Sequence, residues 1–168
     1  SNVETGYVSL SRLMSLNPAL DTRNPDIWYL VVVCNPKARF QVTVVEIANG
    51  KFEMYFRAYQ GHSNPNVNSD KVMTRIEKGM TLPAVCVHGT DAHLMPKIMQ
   101  EGLKPGGDNT KRNHVHFATR LPQEVGHTLS GLKSKKAVWI FFDAHRWRED
   151  NHILFASGND VMTTPEIV

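Results

Sequence analysis

A chain of 168 residues can bury one sizeable core or two small lobes sharing an interface, and it excludes a large multidomain enzyme. Its 41% hydrophobic content, with no long uncharged apolar run, describes a globular protein and excludes a helix that spans a bilayer. With 19 Lys+Arg against 16 Asp+Glu, the formal charge of +3 permits a nucleic-acid partner without requiring one, so local clusters matter more than the total.

Between Tyr7 and Cys34 the pattern is helical: Leu10, Leu13, Met14 and Leu16 share a face, and Asn24-Pro25-Asp26 starts a second predicted helix through Trp28–Val33. From Arg39 the texture changes to RFQVTVVEI, then Asn49-Gly50, then KFEMYFRA, which predicts a β-hairpin. A polar loop over 61–70 and a boundary at Pro83 lead into the strand AVCVHGT. A helix near Thr90–Gly102 follows, with Leu94, Ile98 and Met99 expected to face the core. The basic glycine-rich loop KPGGDNTKRN precedes the strand HVHFAT; next come a helix around Pro122–Leu129 and AVWIFFD, expected as a central strand. Two last strands, HILFAS and DVMTT, are divided by Gly158-Asn159. The expectation is an α+β protein with a small helical lobe over 1–70 and a strand-rich lobe over 71–168. Cys34 and Cys86 match neither a zinc pattern nor a disulfide framework, so buried free thiols in a reducing compartment, cytoplasm or nucleus, are expected.

Three stretches can carry chemistry. In FRAYQGHSNPN, Arg57 ends a strand and is followed by ordinary turn residues, which form either a plain loop or a dock for an anion. In VHGT, His88 stands at a strand end and Gly89 lets a ligand such as a nucleotide ribose approach the backbone. In RNHVHF, period-2 alternation places Arg112, His114 and His116 on one face, a cationic or hydrogen-bonding surface. An H-x-H strand can supply two zinc ligands, but no adjacent Cys or positioned third ligand completes a set, so no metal is expected. Ser130–Lys136, SGLKSKK, is either a phosphate-facing helix end or a solvated basic turn.

The order and content of these pieces resemble the tRNA 2′-phosphotransferase family over almost the whole chain. GYVSLSRLM, NPKARF, FRAYQGHS, VHGT, EGL, RNHVHFA, SGLK and SGNDVMTT follow the family's order. The resemblance implies a winged-helix-like N-terminal lobe, apparently truncated, that holds RNA, joined to an ADP-ribosyltransferase-like lobe that binds NAD. It further implies a tRNA-splicing activity in which an internal RNA 2′-phosphate attacks the nicotinamide ribose, nicotinamide leaves, and the adjoining ribose hydroxyl attacks phosphorus. NAD is consumed as a co-substrate. By the same resemblance Arg57 and Lys133 are catalytic, holding the RNA phosphate with His62 and Ser63 beside them, while His88, Gly89, Thr90, Arg112, His116, Asn159 and Val161 surround NAD. Val161 stands where related transferases carry a glutamate, and an acceptor that is already anionic needs aligning cations rather than a base.

Two departures qualify the match. The family's Arg-His pair belongs to a helix before GYV, and only Ser1–Thr5 precede Gly6 here; sliding LSRLMSLNP onto that helix puts Ser15 and Leu16 at the pair instead. Lys133 replaces an arginine, keeping the charge and losing the planar fork. The alternatives are therefore ADP-ribosylation of a terminal nucleic-acid phosphate, or a noncatalytic NAD- or RNA-binding domain of a larger protein.

Overall fold

The computed structural model describes residues 3–17, 32, 34–35, 37–107, 111–121 and 137–168. Apart from Val32, which is helical and buried, the predicted helix at Trp28–Val33 lies outside the described residues, as do the one at Pro122–Leu129 and Lys133. The described N-terminal part holds a 3₁₀ turn (Val3–Thr5), β1 (Val8–Ser9), α1 (Leu10–Leu16), β2 (Phe40–Ala48) and β3 (Lys51–Ala58). Ser9 caps α1 by accepting a hydrogen bond from the Arg12 N–H, which satisfies one open donor of the first turn. Asn49 and Gly50 both take positive φ (46° and 75°), the requirement of the two-residue hairpin turn predicted from Asn-Gly. The three strands form an antiparallel sheet in the order β1-β3-β2.

The chain continues through α2 (Ser69–Val72), β4 (Thr74–Arg75), β5 (Val87–Asp91), a 3₁₀ turn (Ala92–Leu94) and α3 (Met95–Glu101). β6 (Val115–Ala118), β7 (Ala137–Phe141), α4 (Ala144–Glu149), β8 (Phe155–Ala156) and β9 (Val161–Thr164) complete it. These strands build a second, wholly antiparallel sheet in the order β4-β8-β9-β6-β5-β7. The protein is thus mixed α and β, rich in antiparallel strands with few short helices, and among the described residues no helix is long and apolar enough to cross a membrane. Its main core packs Cys86, Val115, Phe117, Leu154 and Met162 together, with Phe117 and Phe142 stacked at 4.2 Å between ring centroids. Fully burying Phe117 and Leu154 stabilises the fold by about 2 kcal/mol each.

Several expectations need correction. AVWIFFD is an edge strand among the described residues, because β5 has β6 on its other side and β7 pairs with β5 alone; Phe141 is accordingly exposed. The 3₁₀ turn delays α3, so that Ile98 packs on the core while Met99 is 79% exposed. Within the stretch read as helical between Tyr7 and Cys34 the described residues hold α1, and the hairpin read from Arg39 onward forms as β2 and β3. Both thiols are free, but Cys34 is exposed; Cys86 is buried, and burial pushes its thiol up to about 11.

Contacts between the two sheets are specific. A Cβ on Gly158, in the β8–β9 turn, would come within 2.4 Å of the Tyr59 ring, so only glycine lets the ring lie there. Asn159 Nδ2 donates to the Lys37 carbonyl at 3.3 Å, and Asn113 N–H donates to the His62 carbonyl at 3.0 Å.

Candidate functional site

A cleft of about 470 Å³ opens where the two sheets meet. Lys37, Arg39, Gln60 and Gly61 line one side, His88, Gly89, Thr90, Arg112, His114 and His116 the other, and the turn following α3, with Lys104 and Gly106, closes the rim. The volume falls in the range of small-molecule and cofactor sites.

The wall is built by β5 and β6. His88 Nδ1 lies 2.9 Å from the His116 carbonyl, and since a carbonyl only accepts, Nδ1 carries the hydrogen. That bond fixes the tautomer of His88 and ties its ring to the strand two residues beyond His114. His116 is 6% exposed, and its Nε2 is buried with no hydrogen-bond partner among the described residues. Burial, and then the Arg112 guanidinium, hold its pKa down at about 3, so the ring is neutral. Gly61 crosses over it with φ of +82°, close enough that a Cβ would touch Arg112 Nε and His116 Nε2 at 3.8 Å each.

His114 is satisfied where His116 is not. Its Nδ1 lies 2.9 Å from Thr163 Oγ1 and its Nε2 2.9 Å from Ser69 Oγ, and its ring stacks on Phe155 at 5.7 Å and 7°. Burial first, and His62 second, push its pKa down to about 4. Of the two readings of RNHVHF, the hydrogen-bonding one describes the imidazoles, which are buried and stay uncharged, and Arg112 is the exposed cation of the segment.

Arg57 stands off the cleft wall. Its Nε donates to Gln41 Oε1 at 2.8 Å, its Nη1 to the carbonyls of Lys71 at 3.1 Å and Thr5 at 3.4 Å, and its guanidinium lies 4.6 Å from the Tyr7 ring centroid. His62 is beside it, half-buried, its pKa lowered by burial and then by Arg57, and its Nε2 has no partner among the described residues. Gly6 takes φ of +69° against this ring, where a Cβ would meet His62 Nε2 at 3.0 Å, which accounts for the glycine in GYV. Ser63 is exposed. Asn159 and Val161 do not line the cleft: Asn159 tethers Lys37, and Val161 is buried opposite Ala118. Among the described residues no three His, Cys, Asp or Glu side chains converge as a metal site.

Sequence reasoning missed Lys37, Arg39 and Gln60 as cleft residues. The available signal was NPKARF, two cations spaced by one residue immediately before a strand; Asn159 holds the Lys37 carbonyl and the Tyr59 N–H the Arg39 carbonyl.

The family described as RNA 2′-phosphotransferase, Tpt1 / KptA family, matches residues 2–166. The chain is 33% identical to tRNA 2′-phosphotransferase 1 of Mus musculus over 95% of its own length and 60% of that protein. It is 33% identical to the tRNA 2′-phosphotransferase of Saccharomyces cerevisiae over 83% of this chain and 58% of that one. To tRNA 2′-phosphotransferase 1 of Homo sapiens the identity is 32%, over 95% and 59%. The chain thus spans less than two thirds of the length of these relatives.

Proposed function

Because this chain belongs to the RNA 2′-phosphotransferase, Tpt1 / KptA family, we propose that it removes the 2′-phosphate of an RNA, tRNA being the natural carrier, and consumes NAD in doing so. The observation that carries this reading is the inter-sheet cleft, with a wall of neutral imidazoles and glycine backbone and a rim of cations. A buried polar atom without a partner is uncommon in a folded protein, and His116 Nε2 on the cleft wall fits a ligand that completes it. Neutral imidazoles suit hydroxyl and amide groups, while Lys37, Arg39, Lys104 and Arg112 suit phosphates.

When bound, NAD supplies an electrophilic ribose carbon with nicotinamide as leaving group. His88, Gly89, Thr90 and His116 hold that riboside end, and Arg112 the phosphates. Asn159 serves through the Lys37 segment it tethers, and Val161 packs behind the wall. Arg57 holds the RNA 2′-phosphate: its Nε and Nη1 are committed to the protein, so the Nη2 edge meets the anion, with His62 and Ser63 at its side and Lys133 as a second cation. A 2′-phosphate oxygen bonds to the ribose carbon as the carbon–nitrogen bond breaks. The neighbouring ribose hydroxyl then attacks phosphorus, and the RNA 2′-oxygen departs and takes up the proton. An anionic nucleophile needs no base, so alignment and charge stabilisation do the catalysis.

In this reading residues 1–70 form the winged-helix-like RNA lobe, with the β2–β3 hairpin as its wing, and 71–168 the ADP-ribosyltransferase-like NAD lobe, acting in cytoplasm or nucleus. The test is nicotinamide release from NAD in the presence of an oligoribonucleotide with an internal 2′-phosphate or its 2′-hydroxyl twin. Release with the first alone is expected. Release with terminally phosphorylated nucleic acid instead would assign terminal ADP-ribosylation, and binding of both ligands without release would assign a binding module.

A further inference from the structure

We infer that Ser69 and His114 are positioning residues for Arg57, acting through the short helix α2; this rests on the phosphate role proposed for Arg57. Two short bonds tie α2 to the core through one ring. Thr163, fully buried in β9, holds His114 Nδ1 at 2.9 Å through its hydroxyl, which also lies 3.6 Å from Met73 Sδ. The other nitrogen, Nε2, lies 2.9 Å from Ser69 Oγ, and a hydroxyl serves either tautomer of the ring as donor or acceptor. Stacking on Phe155 keeps the imidazole from turning.

Ser69 opens α2, a helix of four residues that has no stability of its own and takes its place from tertiary contacts. Two residues on, the Lys71 carbonyl receives Arg57 Nη1. The same helix secures the Val3–Thr5 turn: Asn68 N–H donates to the Glu4 carbonyl at 2.9 Å and the Lys71 ammonium pairs with Glu4, while the Thr5 carbonyl accepts the second Nη1 bond of Arg57. Both carbonyls that orient Nη1 are therefore registered on α2, and α2 is registered on the core through the Ser69–His114–Thr163 bonds. His114 lines the same cleft as His116, yet its two nitrogens are spent on this link rather than turned to a ligand.

Ser69→Ala in the full chain removes the link and leaves His114 in place. Affinity for a 2′-phosphorylated oligoribonucleotide should fall roughly three- to tenfold, the worth of one hydrogen bond, with NAD affinity unchanged and the Arg57 Nε–H signal displaced in nitrogen–proton correlation NMR. Ser69→Thr, which restores the hydroxyl, should recover both. Wild-type RNA affinity together with an unmoved Arg57 signal would overturn the inference, and so would parallel losses of RNA and NAD affinity, which mark general destabilisation. If the unmodified protein itself fails to recognise the 2′-phosphate, the role of Arg57 is wrong, and the Arg57 signal alone decides whether Ser69 positions it: displaced in Ser69→Ala, it does; unmoved, it does not.

Discussion

Lowering the pH from about 7 to about 4.5 should destabilise the fold through the two histidines of β6 and its approach. In the unfolded chain an imidazole takes up its proton near 6.5, whereas in the folded protein His114 waits until about 4 and His116 until about 3. Between those values the unfolded state binds more protons, so stability is fully present above the unfolded pKa and falls as pH drops through the window. At about pH 4.5 the medium is two units below 6.5, and at 1.36 kcal/mol per unit each ring costs roughly 3 kcal/mol. Two such rings remove a large part of a typical total of about 5–15 kcal/mol. Urea unfolding midpoints at several pH values measure this directly, and His116→Gln, which cannot titrate, should reduce the slope by about half. Carboxylates add their own loss at lower pH, so the window should close near 4.5. A wild-type midpoint that stays flat over this range, or a double variant His114→Gln/His116→Gln that falls as steeply as wild type, would refute the buried neutral pair.

Arg57→Ala should abolish or severely reduce phosphate removal, leave NAD affinity largely unchanged, and cost about 1–3 kcal/mol of stability from the lost Gln41 and Lys71 bonds and the Tyr7 face, so rates and urea unfolding must be read together. Gly158→Ala drives a methyl into the Tyr59 ring and should cost about 1–3 kcal/mol, seen as a lower melting temperature; an unchanged melt would show that the ring moves freely. Lys37→Ala combined with Arg39→Ala should weaken RNA binding and reduce the slope of log affinity against log salt by about 1–2, measured by titration at several salt concentrations.

Where the information was local, the sequence carried it. Asn49-Gly50 specified a hairpin because few residue pairs tolerate two positive φ values, and the alternation in HVHF marked β6 because successive side chains of a strand point to opposite faces, both of which are buried here. The place of AVWIFFD at an edge was hidden, since strand order is set by pairing between distant segments. The helix α2 was hidden inside a polar loop, four residues being too few to show a period. The cleft was half legible. His88, Gly89 and His116 come together on one wall, but the charge state of the imidazoles depends on burial, and the segment of the rim cations Lys37 and Arg39 is held by Asn159, more than a hundred residues away, and by Tyr59. Arg57 was legible as a cation at the end of a strand, whereas its bonds to Gln41, Thr5 and Lys71 come from three separate parts of the chain.

The central claim is that phosphorus leaves the RNA 2′-position and ends on ADP-ribose. Phosphorus NMR of the protein mixed with NAD and an internally 2′-phosphorylated oligoribonucleotide follows that atom directly. The monoester resonance should disappear as a cyclic phosphodiester resonance of ADP-ribose grows in equal amount, with no inorganic phosphate. A monoester signal that persists unchanged, or that converts to inorganic phosphate without consumption of NAD, would contradict the account.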